Sequence, residues 1–531
     1  MKALLVYPEF PDTSYWGFKH ALKITGKKSA FPPLNLLTVS SLLPEDWEKR
    51  LLDLNVKPLN MADLEWADIA MISAMHIQQP SLEHVLDKVA DLQNNGKDIK
   101  TALGGPFITT KYIEETDLEN KTEGFDDLSN KIDYLFLGEA EATLPEFIKD
   151  LETGETRKFY VAKEFPDITS TPLPDLDLIN PRDYASMAVQ FSRGCPFKCK
   201  FCEIAALNGR IPRVKTNEQM IREFDNLHEF GWRSSVFIVD DNFIGNKFRV
   251  KQLLPEIAEW QKEKGYPFSL FTQCSMNLAG DPDLLQKMRD AGFNSVFLGI
   301  ETPDNDTLEA MGKCQNVRQD LLASVREIQS YGMDVMAGFI IGSDNDPENV
   351  AELQKEFIQK AGIPLAMVGL LNVMPGSSLY KEMKSQNRLI GKMEDESSFG
   401  DNTSNGLNFI TKRNRETIIS EYKKLMEKIY NSRNYYKRCL TALKYVAGVR
   451  HSIRVRISID DISALLHSIW IQGVKDSDRM EYWRFIGNSL LKYPTKLKDA
   501  VTLAVKGYHF KCLIENAYKF RILLQNQQHS V

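Results

Sequence analysis

Over the first 150 residues, short apolar runs alternate with stretches of helical period. The runs are KALLVY, the stretch around Leu34 to Leu43, RLLDLN, DIAMIS, IKTALGG and DYLFLGE, while Ser81 to Gln93 repeats its apolar positions as a helix does. Strands separated by helices need crossover connections, so residues 1–150 predict a parallel, doubly wound α/β sheet. Ligands of such sheets bind beyond the carboxyl ends of the strands, which directs attention to the segments after Tyr7, Ser73, Leu103 and Leu137. Residues 151–187 include FPDITSTPLPDLDLINPRDY, rich in Pro, Asp and Thr and without a period, and predict a surface linker. The alternation resumes over 188–374 with VQFSR, SSVFIVDD, FSLFTQC, SVFLGIE, VMAGFIIG and AMVGLLNV, separated by helical patterns such as Glu218 to Phe230 and Asp281 to Ala291. Six βα units predict an open or closed barrel with its chemistry on the C-terminal strand ends. Residues 375–531 predict a mainly helical extension, opened by a loop over the barrel mouth that contains PGSS and GDNTSNGLNF.

A chain of 531 residues at 43% hydrophobic can bury more than one core. A charged fraction of 26% with a net charge of −6 gives no reason to expect a nucleic-acid partner. The charge is uneven, however. From residue 440 onward 14 Lys and Arg face seven Asp and Glu, a net of +7, which leaves −13 for residues 1–439. The apolar run of MKALLVYPEFPD stops at Pro8 without a signal-peptide cleavage pattern, and no run approaches about 18 apolar residues, so a cytoplasmic chain without a spanning helix is expected. Seven cysteines is an odd number, and three of them fall within eight residues, which reads as metal ligation in a reducing compartment.

Those three, Cys195, Cys199 and Cys202, form CxxxCxxC within FSRGCPFKCKFCEI. Three thiolates can hold a 4Fe-4S cube and leave one iron open. A structural zinc site is the plainer alternative, but such sites are usually closed by a fourth ligand, and no further Cys or His lies nearby. Gly194 and Pro196 suit a loop that wraps a cluster, and Phe201 stands between the second and third ligands. The motif closely resembles that of the radical S-adenosylmethionine (SAM) superfamily. The resemblance implies that SAM chelates the open iron and that an electron splits its sulfonium to give a 5'-deoxyadenosyl radical. In GFIIG, Gly338, Ile340 and Gly342 resemble the GxIxG strand that packs on the adenine, although a glycine bulge gives the same pattern. Glu301 at a strand end would accept hydrogen bonds from the ribose or amino group, or else is a helix N-terminal charge. Asp240, Asp241 and Asn242 would orient SAM or substrate at the barrel mouth, or one of them caps the next helix. Cys274 is either a reactive thiol or a small buried hydrophobe.

PPLNLL, GGPF and GEAEATLPEF in the front domain, together with PLPDLDL, FIVDDNFIGN and NTSNGLNF, extend the similarity over nearly the whole chain. The chain resembles the cobalamin-binding radical SAM proteins with a conserved C-terminal extension, the class that contains hopanoid methylases. This implies an N-terminal Rossmann-like cobalamin-binding domain, a radical SAM (β/α)6 partial barrel and a helical C-terminal extension. Gly104 and Gly105 would let the corrin or its nucleotide tail lie against the backbone, as would Gly138 with Glu139, and Ser73, Met75, His76 and Gln78 would line the site. The DxHxxG motif that supplies an axial histidine is absent, so His76 stands as a cobalt ligand or as a lining residue. A Rossmann-like domain that lost or changed its cofactor is the remaining reading. The implied reaction uses one SAM to methylate cob(I)alamin and another to generate the radical that takes hydrogen from an unactivated carbon, which then accepts the methyl group. The expected partners are a small hydrophobic, lipid-like substrate and an electron donor such as flavodoxin or ferredoxin. Cyclisation, ring rearrangement or oxidation without methyl transfer is the alternative, and a non-catalytic Fe-S/cobalamin sensor is a further one. In the basic tail, Tyr482 to Tyr493 and Tyr508 to Leu524 predict either peripheral contact with the anionic inner membrane face or an ordinary helical cap.

Overall fold

The computed structural model describes all residues except 13, 16, 117–127, 391–405, 447–458 and 529–531. The front sheet consists of β1 (Lys2–Tyr7), β2 (Glu48–Asp53), β3 (Ile69–Ser73), β4 (Lys100–Gly104), β5 (Tyr134–Leu137) and β6 (Phe159–Val161), in the order β2-β1-β3-β4-β5-β6. All its pairings are parallel. Both faces are covered, and β3 at the centre is buried at all five positions, as a strand sandwiched between helical layers must be.

Two elements of the front domain differ from the pattern reading. The run around Leu34 to Leu43 is a helix, Leu34–Leu42, because a short apolar run alone does not distinguish strand from buried helix. The sixth strand lies inside the stretch expected to be linker. Its three residues are too few to show alternation, yet Tyr160 is buried and stacks on Phe136 at 5.5 Å, which fixes β6 on the sheet edge.

The second sheet contains β7 (Met187–Val189), then, after the hairpin of β8 (Ser192–Arg193) and β9 (Arg213–Val214), β10 (Ser235–Ile238), β11 (Ser269–Cys274), β12 (Phe293–Glu301), β13 (Asp334–Ile341) and β14 (Ala366–Leu370). Its order, β14-β13-β12-β11-β10-β7, is that of an open six-stranded parallel barrel. The expected first strand VQFSR is thus divided: β7 ends at Val189, and Ser192 and Arg193 turn out into the hairpin that carries the cysteine loop. On β10 to β13 the fully buried residues alternate with partly buried ones that face the barrel interior, among them Phe237, Phe271, Phe297 and Met336. Phe31, from the front domain's PPLNLL region, joins this interior layer at 5.3 Å from Phe237 and 6.1 Å from Phe271.

The extension is helical at Ser378–Ser385, Arg415–Tyr430, Ser432–Val446, Ile459–Ser468, Arg479–Lys492 and Leu497–Gln528. Part of the loop expected over the mouth is therefore the helix Ser378–Ser385, whose N-terminus is capped by Ser377. Residues 400–405 of GDNTSNGLNF lie outside the described residues, while Leu407 and Asn408 bind the exits of β13 and β14: the Leu407 N–H donates to the Leu371 carbonyl at 3.0 Å, and the Asn408 side chain bridges both main-chain groups of Val373. Tyr422, Leu425 and Ile429 share one core with the barrel. The helix Lys19–Thr25 packs against Leu497–Gln528, where Ala21 and Ile24 meet Val505. No described helix is long and apolar enough to cross a membrane.

Candidate active site

The cysteine loop is built by backbone constraints. Gly194 has φ +99°, and a Cβ there would stand 2.9 to 3.1 Å from the carbonyl oxygens of Asn208, Gly209 and Ile211. The Cys195 N–H donates to the Gly209 carbonyl, and the Lys200 N–H to the Met311 carbonyl at 2.9 Å. Alanine at Gly194 is expected to cost about 2 kcal/mol or more, through the left-handed backbone and the clash, and to lower the iron bound per chain. Iron quantification beside a denaturant melt checks this.

The three cysteines are unpaired and half-buried, and side-chain amides point at two of their sulfurs. Asn242 Nδ2 lies 3.9 Å from Cys195 Sγ, and Gln315 Nε2 lies 3.6 Å from Cys199 Sγ. Burial pushes the Cys195 thiol up and the Cys202 thiol up to about 12. Among the described residues no three His, Cys, Asp or Glu side chains are gathered closely enough for one metal ion. A cube asks for no such convergence, since each thiolate binds a different iron. Donor set, glycine turn and amide donors fit an iron-sulfur cluster.

Asp240, Asp241 and Asn242 all serve this loop. Asp240 is fully buried and accepts from the Phe191 N–H at 2.8 Å and Ser192 Oγ at 2.6 Å. Burial raises its pKa to about 7. Asp241 accepts from the Gly194 N–H at 2.8 Å and Asn208 Nδ2 at 2.9 Å. Asn242 Oδ1 takes the Ser275 N–H at 3.1 Å. Cys274 is buried within the core, and its thiol is held protonated by that burial.

Glu301 ends β12 with φ +66° at a bulge, and its Oε1 accepts from Lys313 Nζ at 2.6 Å. Burial opposes the charge on Lys313, but Glu301 and then Cys199 outweigh it and raise its pKa. A Cβ on Gly299 would lie 2.5 Å from Glu301 Oε1 and 2.7 Å from Lys313 Nζ, so this ion pair needs a glycine beneath it. Gly299 is the register partner of Gly338, which leaves neighbouring strands bare of side chains inside the barrel. Ile340 is partly buried on the same side of β13 as Gly338, and its carbonyl accepts from Gln354. Gly342, at φ +110°, is instead covered by Leu407, and its N–H donates to Asp346 at 2.8 Å. Lys313, Gln315 and Gly299 escape a sequence reading because MGKCQN and the middle of SVFLGIE match no motif.

The front-domain residues gather at the carboxyl ends of β3, β4 and β5. Ser73 Oγ accepts from Asn35 Nδ2 at 2.6 Å; Gln78 accepts from the Met75 N–H at 2.9 Å and donates to the Pro8 carbonyl at 2.5 Å. Gly104 follows on β4, and Gly105 at φ +97° would place a Cβ 2.6 Å from Ser73 Oγ. Gly138, also at φ +97°, abuts Ala162 beyond β6. Glu139 joins the two halves: Arg193 and Arg213, one on each strand of the hairpin, both donate to its carboxylate. Arg193 also binds Glu141.

His76 stands at the same junction, edge-on to Phe107 and with Nε2 3.9 Å from Oε2 of Glu203, the residue after Cys202. Burial lowers the His76 pKa to about 4 and raises that of Glu203 to about 7, in both cases toward the neutral form. In the cluster-free chain, the stability due to neutral Glu203 is complete below pH 4.5 and falls as pH rises to about 7, because the unfolded chain releases that proton first. His76 acts oppositely, its contribution being complete above pH 6.5 and lost toward pH 4. Glu203→Gln is therefore expected to gain on the parent protein between pH 4 and pH 8, by at most about 3 kcal/mol. Denaturant titrations at the two pH values measure the gain.

An open parallel barrel with this cysteine loop defines a radical SAM enzyme. The superfamily model for radical SAM matches residues 189–357, and a domain of unknown function, DUF4070, matches residues 377–520. The chain is 39% identical over 512 residues to the uncharacterized methyltransferase sll1242 of Synechocystis sp., covering 96% of this chain and 91% of that one. It is 32% identical over 519 residues to the hopanoid C-2 methylase of Rhodopseudomonas palustris, covering 96% and 92%. Among solved structures, the cobalamin-dependent radical SAM enzyme OxsB, with aqua-cobalamin and SAM bound, shares the fold at a TM-score of 0.60 and 14% identity, over 99% of this chain and 81% of that one. The chain belongs to the radical SAM methyltransferase family that includes hopanoid C-2 methylase. Its chemistry uses a 4Fe-4S cluster and SAM.

Proposed function

We propose that the protein methylates an unactivated carbon of a hydrophobic, lipid-like molecule, with cobalamin as the methyl carrier. The observation that carries this reading is the barrel wall below the SAM residues: on the inward faces Phe237 stacks on Phe271, Phe297 and Met336 follow with the uncharged Gln273, and the ion pair described at the strand ends, Glu301 with Lys313, neutralises itself. Such a wall favours an apolar guest over a charged one. Full-length similarity to a hopanoid methylase supports the lipid-like substrate, and the fold shared with OxsB, whose structure holds aqua-cobalamin and SAM, supports cobalamin as the carrier.

When bound, the cluster supplies the electron that cleaves SAM and cobalamin carries the methyl group. Cys195, Cys199 and Cys202 hold the cluster, and Asn242 and Gln315 orient two of the thiolates. Gly338 and Ile340 offer a surface for the adenine, and Glu301, fixed by Lys313, receives the polar groups of SAM. Ser73, Met75, His76, Gly104 and Gly105 form the rim that receives cobalamin, with the imidazole neutral at physiological pH. Glu139 acts in this scheme as a positioning residue, since its two arginines hold the front sheet against the cysteine hairpin. A flavodoxin- or ferredoxin-like protein is the electron donor.

The test incubates the holoenzyme with methyl-labelled SAM, a reductant and a hydrophobic extract from cells lacking the enzyme. Label in a new apolar product is the expected result. Substrate conversion with 5'-deoxyadenosine release and no label in the product overturns the reading in favour of rearrangement or oxidation.

A further inference from the structure

The C-terminal extension carries an apolar surface that its own core does not use. On the helix Ile459–Ser468 and the π-helical turn Ile469–Lys475 that continues it, Ile462, Leu466, Trp470 and Val474 recur every four residues and all are exposed, Leu466 at 61%. On the helix Arg479–Lys492, Met480, Trp483 and Leu491 are exposed as well, Leu491 at 83%. The stripes adjoin each other. Trp483 Nε1 donates to the Gly473 carbonyl at 2.9 Å, and the absent side chain of Gly473 lets the indole lie 3.0 Å from where a Cβ would stand. The opposite faces are anchored: Tyr482 and Phe485 are buried, and Phe485 stacks on Tyr436 at 4.7 Å. The outward apolar residues are thus held in place by a packed inner layer.

This arrangement revises the sequence expectation for the tail. Within Tyr482 to Tyr493, the aromatic residues Tyr482 and Phe485 face inward, and within Tyr508 to Leu524 Phe510 and Leu513 are core residues, Phe510 stacking on Tyr430 at 4.6 Å. The side chains from residue 517 onward lie outside the described residues. The exposed apolar positions lie on 462–474, where no aromatic-basic interleaving draws the eye, and on 480–491, where Trp483, Leu490 and Leu491 fall within the expected Tyr482 to Tyr493 segment.

The segment from residue 440 onward carries a net charge of +7, although residues 459–492 themselves hold five acids and four bases. The acids of these helices are already engaged: Asp460 with Lys27, Asp461 with Lys498, Glu481 with Arg484, and Asp476 and Asp478 with Lys511. Lys475, Arg479 and Lys492 are exposed, and the Lys475 ammonium sits 5.1 Å from the Trp470 ring. A second copy of the chain docked here about a two-fold axis would set this basic rim against itself. Lipid phosphates would neutralise it while the acyl boundary took up the indoles and leucines.

We infer that this face is a membrane-docking surface, on which the exposed residues of 462–474 and 480–491 enter the headgroup region of an anionic bilayer and Lys475, Arg479 and Lys492 meet its phosphates. The inference goes beyond the methyl-transfer reading and does not rest on it. Without a spanning helix among the described residues, the attachment is peripheral and reversible.

Full-length protein is mixed with phosphatidylcholine vesicles containing or lacking phosphatidylglycerol, and sedimentation and tryptophan emission are recorded with no substrate present. Binding to the anionic vesicles alone, with a blue shift and weakening at high salt, is expected. Trp470→Ser with Leu491→Ser should reduce affinity at least about tenfold, and Lys475→Gln with Lys492→Gln about 25-fold, or about fivefold per lysine. Because all four side chains are exposed, both variants should keep the parent's circular dichroism and thermal midpoint. Absence of binding to anionic vesicles, or binding that neither variant weakens, overturns the inference. So does a concentration-dependent dimer that Trp470→Ser with Leu491→Ser converts to monomer while vesicle binding is unaffected, which would assign the face to a second copy. A failed methyl-transfer assay leaves the vesicle result standing, so the two readings fail separately.

Discussion

Cys202→Ala, reconstituted anaerobically with iron and sulfide, is expected to lose the broad visible absorption and the reduced spin-resonance signal of the cluster, and to cleave SAM to 5'-deoxyadenosine at no more than background. Burial places the Cys202 thiol at about 12, so only bound iron makes it a thiolate at neutral pH. No neighbour substitutes for it readily: Glu203, the adjacent carboxylate, is turned toward Thr110 and His76. Circular dichroism of the variant should match the parent, because the loop itself is held by backbone bonds at Cys195 and Lys200. An undiminished cluster signal in a variant with alanine at all three cysteines would remove the basis for the enzymatic assignment.

The second large effect is at Lys313. Its side chain is 10% exposed and that of Glu301 8%, so Lys313→Met leaves a carboxylate stranded in the barrel interior at a cost of about 3–5 kcal/mol. The double variant Lys313→Met with Glu301→Gln removes both charges and should recover more than half of that loss, the strong coupling expected of a contacting buried pair. Chemical unfolding of parent, single and double variants gives the cycle. Additive costs would show that the pair is solvated. SAM affinity separates the roles further, since restored stability without restored binding would show that Glu301 serves the ligand as well as the fold.

The broad architecture was legible because the interior parallel strands are covered on both faces and therefore read as apolar runs, and because CxxxCxxC is a local signal needing no tertiary information. β6 was hidden by its length, and the helix Leu34–Leu42 by the ambiguity of a short apolar run. The polar site residues show a different limit. Asp240 and Asp241 were readable as carboxylates at a strand exit, but whether they turn toward the mouth or back onto the cysteine loop depends on where Phe191, Ser192 and Gly194 lie, some 47 to 49 residues earlier. Glu139 likewise reveals its arginine partners only when the hairpin is folded, 54 and 74 residues away. Lys313 was invisible because its significance comes from the absent side chain of Gly299, on another element.

The packing of Lys19–Thr25 on Leu497–Gln528 has a consequence for biosynthesis. Ala21 and Ile24 are covered by Val505, and Tyr15 makes its hydrogen bonds with Val368 and Tyr422. During synthesis residues 15–25 therefore lack a berth until the helix Leu497–Gln528 has emerged. The strand pairings of β1 to β6 all lie within residues 2–161 and can form early, but residues 15–25, ahead of the helix Leu34–Leu42, stay open to proteases and chaperones during translation. Shortened forms ending before the last helix should accordingly be cleaved first near residues 15–25, close to the N-terminus and far from the cut that created them.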